Sequence, residues 1–148
     1  MGIHYEQAGE GEKVIFIHGA GGSTRAWYFQ NDHLKSSMEV LCVDLPGHGQ
    51  SPGNGCDSIG QYSEAVYSLL NERPPGRYFI TGHSMGGAIA MTFTLAHPDL
   101  VKGLILIGTG AKLGVLPSIL EGIRQDKART VRNIVDIAFS KKTSPQMK

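Results

Sequence analysis

Gly82-His83-Ser84-Met85-Gly86 decides how the rest of this sequence is read. The five residues fit G-x-S-x-G, a pattern that puts a serine on a very tight strand-to-helix turn with its hydroxyl raised at the sheet edge. The flanks agree with such a turn. Arg77-Tyr78-Phe79-Ile80-Thr81 is a short β-prone run before it, and Met85 to His97 reads as a helix that Pro98 stops. The glycines have a steric purpose: a sharp turn leaves no room for side chains beside the serine, whose own backbone is pushed into a costly region. A plain Gly-rich turn with a solvent-facing serine would need neither the strand before it nor the helix after.

Working outward, Val14-Ile15-Phe16-Ile17 is a β-branched and aromatic run suited to a buried parallel strand. It ends at His18-Gly19-Ala20-Gly21-Gly22-Ser23. A glycine-rich loop after a strand also invites a nucleotide reading, which the spacing rejects. G-x-G-x-x-G needs glycine where Thr24 stands, and no Gly-Lys-Ser/Thr follows. Such a loop can instead bring a free backbone N–H close to a reacting carbonyl oxygen, which demands small residues. Val40-Leu41-Cys42-Val43 is another buried strand, followed by the turn Asp44-Leu45-Pro46-Gly47-His48-Gly49-Gln50-Ser51.

Together these segments closely resemble the α/β-hydrolase fold family, in particular its esterase, lipase and C–C hydrolase branch. The shared motifs are H-G-x-G-G-S at His18–Ser23, D-x-P-G-H-G-x-S at Asp44–Ser51 and G-H-S-M-G-G at Gly82–Gly87. They stand in the family's order and cover residues from about Ile3 to Gly110. The resemblance implies an α/β fold: a mostly parallel, doubly wound sheet of the α/β-hydrolase type, incomplete in these residues, with the start of a helical cap. It also implies an acyl-enzyme on Ser84, with the oxyanion held by the backbone N–H groups of Ala20 and Met85. His18, Gly19, His83 and Gly86 would support that geometry. No metal and no cofactor are expected.

The remaining segments alternate as a wound α/β sheet should. Strands are expected near Ile3–Ala8, Lys13–Ile17, Glu39–Val43, Arg77–Thr81 and Gly103–Ile107. Ser23 can cap a helix running through Trp27 towards Leu34, with Trp27 as core or pocket lining. Asp57 or Ser58 opens another helix, with Ile59, Tyr62, Val66, Leu69 and Leu70 on one face and Pro74-Pro75 closing it. After Gly110 the character shifts. Residues 1–110 carry 6 basic and 10 acidic side chains, net −4, whereas residues 111–148 carry 8 and 3, net +5. Two domains follow from this: 1–110 as the N-terminal part of the core and 111–148 as the start of a cap. In the second, Pro117 suits a first helical position, and Val131, Ile134, Val135 and Ala138 mark an amphipathic helix.

A serine hydroxyl is a poor nucleophile without a base to take its proton and a carboxylate to orient that base. Family triads run serine, acid, histidine along the chain. After Ser84 the only histidine is His97, about 13 residues on and so roughly 20 Å away along a helix axis. Candidate acids after Ser84 are Asp99, which shares that far end, and Glu121, Asp126 and Asp136 in the expected cap. His83 neighbours the serine but points away from it on a tight turn, His18 and His48 belong to loop geometry, and Asp44 reads as a structural carboxylate. The expected triad acid and histidine are therefore sought outside these 148 residues. The expected partner is a C-terminal fragment of the same protein as a separate chain, with association between copies as the other way to finish the sheet edge.

Composition bounds the rest. Hydrophobic content of 41% and charged content of 18% are those of an ordinary globular domain. A net charge of +1 argues against nucleic acid, and no apolar run approaches the roughly 20 residues a bilayer needs. Met1 to Glu6 lacks a basic region followed by an apolar stretch, so a cytoplasmic setting is expected. Cys42, in a strand, and Cys56, in a loop, are expected as free thiols. The leading functional reading is a serine hydrolase for a carboxylic ester or similar small acyl substrate. C–C bond hydrolysis, thioester hydrolysis and cofactor-free haloperoxidase chemistry are alternatives on the same scaffold, and a non-catalytic small-molecule receptor is the alternative from another class.

Overall fold

The computed structural model describes residues 2–112 and 114–143. The chain divides into two compact units, Met1–Leu113 and Gly114–Lys148. In the first, five strands form one sheet: β1 (Tyr5–Ala8), β2 (Glu12–Ile17), β3 (Met38–Val43), β4 (Tyr78–His83) and β5 (Val101–Ile107). Their spatial order is β1-β3-β2-β4-β5, with β1 antiparallel to β3 and every other pairing parallel. The helices are α1 (Tyr28–Leu34), α2 (Ile59–Asn71) and α3 (Met85–Ala96). The sheet is thus mostly parallel and of the α/β-hydrolase type, as expected.

The apolar runs of the strands explain the layers. Successive side chains point to opposite faces, so Ile15, Ile17, Leu41, Val43 and Ile80 pack on one side with Tyr62, Val66, Leu69 and Leu70 of α2 and Ile89, Ala90 and Phe93 of α3. Val14, Phe16, Val40 and Cys42 face the other side, where they meet Trp27 and Leu34. Trp27 stacks at a tilt on Phe16, ring centroids 4.8 Å apart, and is a core residue. Burial raises the Cys42 thiol to about 12, and both cysteines are free.

Local chemistry accounts for most element ends. Ser58 caps α2 by accepting from the Gln61 N–H at 3.3 Å. Ser23 does not act as a side-chain cap: the chain first makes a 3-10 turn over Thr24–Trp27, then α1. The Thr24 N–H, at the first position of that turn, is taken by Asp44 Oδ1 at 2.7 Å. β5 pairs with β4 on one side and forms an edge of the sheet, with Leu104, Ile105, Leu106 and Ile107 all exposed.

In the second unit, α4 (Pro117–Gln125) opens with Pro117 at its first position, and α5 (Lys127–Ala138) is capped by Asp126, whose Oδ1 accepts from the Arg129 N–H at 3.0 Å. The expected apolar stripe of α5 is only partly covered, and Val131 is exposed. Thr130 is the buried residue of that helix, packed on Gly122 and donating its hydroxyl to Asp126 O. Among the described residues no helix is long and apolar enough to cross a membrane.

Candidate active site

The chain leaves β2 towards β3 on one side and returns to β4 on the other, so the connections after β2 and β4 diverge. In an open α/β sheet, the crevice at the carboxyl ends of such diverging strands is where ligands bind. The two glycine-rich motifs stand at this point. Ser84 follows β4 and Gly19-Ala20 follows β2.

Ser84 joins β4 to α3 with φ +53° and ψ −119°, and it is the one non-glycine residue with positive φ among those described. Those angles lie close to the roughly +60°, −120° that type II′ turns reserve for glycine, so the serine is held in a strained conformation. Its N–H donates to Ile107 O of β5 at 3.0 Å, and its carbonyl accepts from the Gly87 N–H at 2.9 Å. The side chain is half-buried, and no described residue hydrogen-bonds its hydroxyl. Met85, the first residue of α3, follows immediately, and the first amides of a helix have no partner within it.

Two close approaches explain the flanking glycines. A methyl at Gly86 would run into the carbonyl oxygens of Ile17 and His18, the latter at 2.6 Å, so the start of α3 lies directly on the end of β2. A methyl at Gly19 would stand 3.1 Å from Ser84 Cβ and 3.2 Å from His83 Nδ1. The loop after β2 is therefore beside the serine. A tight turn follows, in which the Gly22 N–H donates to Gly19 O at 3.1 Å around Ala20 and the positive-φ Gly21, with Ala20 exposed. No acceptor among the described residues takes the Ala20 N–H.

The histidines sort by environment. His18 is fully buried; its Nε2 accepts the Leu45 N–H at 3.1 Å, so Nδ1 carries the proton and donates to Gly19 O at 2.7 Å. Burial pushes this imidazole below its ordinary value, and the neighbouring His48 acts in the same direction. Both nitrogens are occupied, which leaves no lone pair for Ser84. His48 Nδ1 pairs with Pro46 O, and His97 stacks on Tyr67, rings 3.9 Å apart, at the far end of α3. His83 lies against Gly19 and Gly108 and is exposed. Asp44, 1% exposed, accepts from the Thr24 and Gln50 N–H groups at 2.7 and 2.9 Å. None of these side chains is hydrogen-bonded to the serine, and no group of three or more metal-ligating side chains occurs among the described residues.

Sequence reasoning did not find the tie from Ser84 to Ile107, nor the two-ended attachment of the His18–Thr24 loop to Asp44-Leu45. The first depends on parallel pairing across β4 and β5. The second had one visible signal, a carboxylate at the carboxyl end of a buried strand.

A parallel-centred α/β sheet with a strained serine at its topological switch is the architecture of a hydrolase scaffold. A family model described as alpha/beta hydrolase fold matches residues 13–146, and the chain belongs to that family. It is 33% identical over 105 residues to the (E)-2-((N-methylformamido)methylene)succinate hydrolase of Acinetobacter baylyi, covering 70% of this chain and 40% of that one. Among solved structures it is similar to a thermophilic esterase, with 34% identity, a TM-score of 0.78 and 94% of this chain against 53% of that one. It is also similar to Est816, described as an N-acyl homoserine lactone degrading enzyme, with 28% identity, a TM-score of 0.85 and 95% against 55% coverage. The chain thus spans about half the length of these proteins, or less.

Proposed function

We propose that this chain is the nucleophile-bearing part of a serine hydrolase that cleaves carboxylic esters or similar small acyl substrates. The observation that carries the reading is Ser84 at φ +53° on the β4–α3 turn, with Gly19 packed beside it. Strain of that kind persists only where the surroundings impose it, and it clusters at sites of chemistry. In the proposed reaction, Ser84 Oγ attacks the acyl carbonyl and its proton passes to a histidine base. The Ala20 and Met85 N–H groups receive the developing oxyanion, the alcohol leaves with the proton, and water then releases the acid from Ser84. Loss of one oxyanion donor would cost about 2.7–4 kcal/mol of transition-state stabilisation. The esterase and lactone-degrading activities named for similar proteins favour carboxylic esters over the other chemistries of the scaffold.

The base and its orienting acid would come from polypeptide outside this sequence. Two observations support that part. The similar proteins are about twice as long. In addition, β5 has exposed apolar residues on both faces at a free sheet edge, which is the composition of a strand meant to lie between neighbours.

A fluorophosphonate probe followed by mass spectrometry of the intact native sample tests the proposal. The expected result is one label on Ser84 in a sample that also contains the complementary polypeptide, and none in Ser84→Ala. A folded sample with that polypeptide present and Ser84 unlabelled would refute it.

A further inference from the structure

We infer that Asp44 is a positioning residue for this site, fixing where the Ala20 amide lies relative to Ser84; this deepens the reading above and rests on it. The loop that carries Ala20 is fastened at both ends to one dipeptide. At its start, His18 Nε2 accepts the Leu45 N–H at 3.1 Å while its Nδ1–H holds Gly19 O at 2.7 Å. At its end, the Thr24 N–H donates to Asp44 Oδ1 at 2.7 Å. The other carboxylate oxygen, Oδ2, accepts the Gln50 N–H at 2.9 Å and so ties the same residue to the turn after β3. Main-chain bonds hold Asp44 in turn: its N–H donates to His4 O at 2.9 Å, and its carbonyl accepts the Ser51 hydroxyl.

The choice of an acid here has a chemical reason. A carboxylate accepts on both oxygens, so it can hold Thr24 and Gln50 together; an amide of the same shape offers one acceptor and turns two N–H bonds towards the other donor. Asp44 is 1% exposed and its bond to the Thr24 N–H is buried, so that N–H, once released, would have no water to replace the lost partner. No lysine or arginine lies against the carboxylate among the described residues; the nearest cationic candidate is His4, whose Nε2 is 4.0 Å from Oδ2. The charge is spent on two backbone amides. Gly49 reports the same tightness, because a methyl on it would overlap the carboxylate, 2.5 Å from Oδ1.

Two variants perturb this clamp differently. Asp44→Asn removes one acceptor and keeps the volume, whereas Gly49→Ala displaces the carboxylate and keeps its charge. Both are measured in the protein as purified, with any companion polypeptide in place, by amide hydrogen exchange and by turnover of p-nitrophenyl acetate. The expected result is at least tenfold faster exchange at the two hydrogen-bonded loop amides, Gly22 and Thr24, with the β2 and β3 amides within twofold of wild type. kcat should fall at least tenfold while KM stays within threefold. Unchanged loop exchange, equal acceleration of loop and strands, or a loosened loop with kcat intact would each overturn the inference. A wild-type protein with no ester turnover would count against the Ser84 reading, and the exchange measurement would still decide whether Asp44 clamps the loop.

Discussion

Replacing Ser84 with glycine should stabilise the protein relative to replacing it with alanine. Both variants delete the hydroxyl, which no described residue hydrogen-bonds, so they differ only in the Cβ. At φ +53°, ψ −119° that Cβ is strained, at a cost of about 1–3 kcal/mol for a non-glycine residue. Glycine removes the strain but adds about 0.4–1 kcal/mol of freedom to the unfolded chain. The balance leaves Ser84→Gly ahead of Ser84→Ala by about 0–2.6 kcal/mol, about 1.3 kcal/mol at mid-range. For a chain of this size the mid-range figure is a rise in Tm of roughly 3–5 °C. Trp27, the single tryptophan, is buried in the core beside Phe16 and reports unfolding of the sheet unit directly. Urea titrations followed by its fluorescence should show a higher midpoint for glycine at equal slope. Should alanine prove as stable as glycine, Ser84 is not strained and the strongest structural sign of a reactive serine is lost.

Two further outcomes follow from the same site. Gly86→Ala should lower the urea midpoint by an amount worth about 1–3 kcal/mol, because its methyl meets the backbone carbonyls of Ile17 and His18, which cannot move aside without breaking β2; an unchanged midpoint would show that α3 does not rest on the strand end. His18 should make stability fall with acid. Burial lowers its native value below the ordinary 6.5, so below that pH the unfolded chain binds a proton that the native state refuses, and stability rises with pH through this range. Urea midpoints measured between pH 7.5 and 5.0 should decline more steeply for wild type than for His18→Asn, with the other histidines common to both; parallel declines would exclude His18 as the source.

What could be read from the residues alone was whatever has a local steric cause. The serine turn announces itself because glycines are needed where α3 crosses the end of β2, and the parallel strands because strands covered on both faces are unbroken apolar runs. Helix α2 shows its buried face in the spacing of Tyr62, Val66, Leu69 and Leu70. What stayed hidden was set by distant partners. Ser23 looks like a cap, yet its side chain makes no capping bond, and the neighbouring Thr24 N–H goes to Asp44, twenty positions further along. In α5 the apolar spacing hides Thr130, which is buried because Gly122 admits it and Asp126 O accepts its hydroxyl. The site divides in the same way: Ser84, Gly19 and Gly86 are visible as letters, whereas the ties that aim them are not.

The position of β5 bears on how the strain at Ser84 is sustained. A residue stays at φ +53° only if its neighbours prevent relaxation, and two sets of contacts do so here. On one side the start of α3 is pressed against the carbonyl oxygens of Ile17, the last residue of β2, and of His18 just after it, and β2 is buried between β3 and β4. On the other, the Ser84 N–H is fastened to Ile107 O at the last residue of β5. The first anchor lies in the interior of the sheet, while the second belongs to an edge strand whose outer side has no neighbouring strand among the described residues. Edge strands fray more readily than central ones, because fewer buried contacts hold them. Pairing along the free side of β5 would therefore do more than cover apolar surface. It would fix Ile107 O, and through it the backbone of Ser84, so that completion of the sheet and the conformation of the serine turn become coupled.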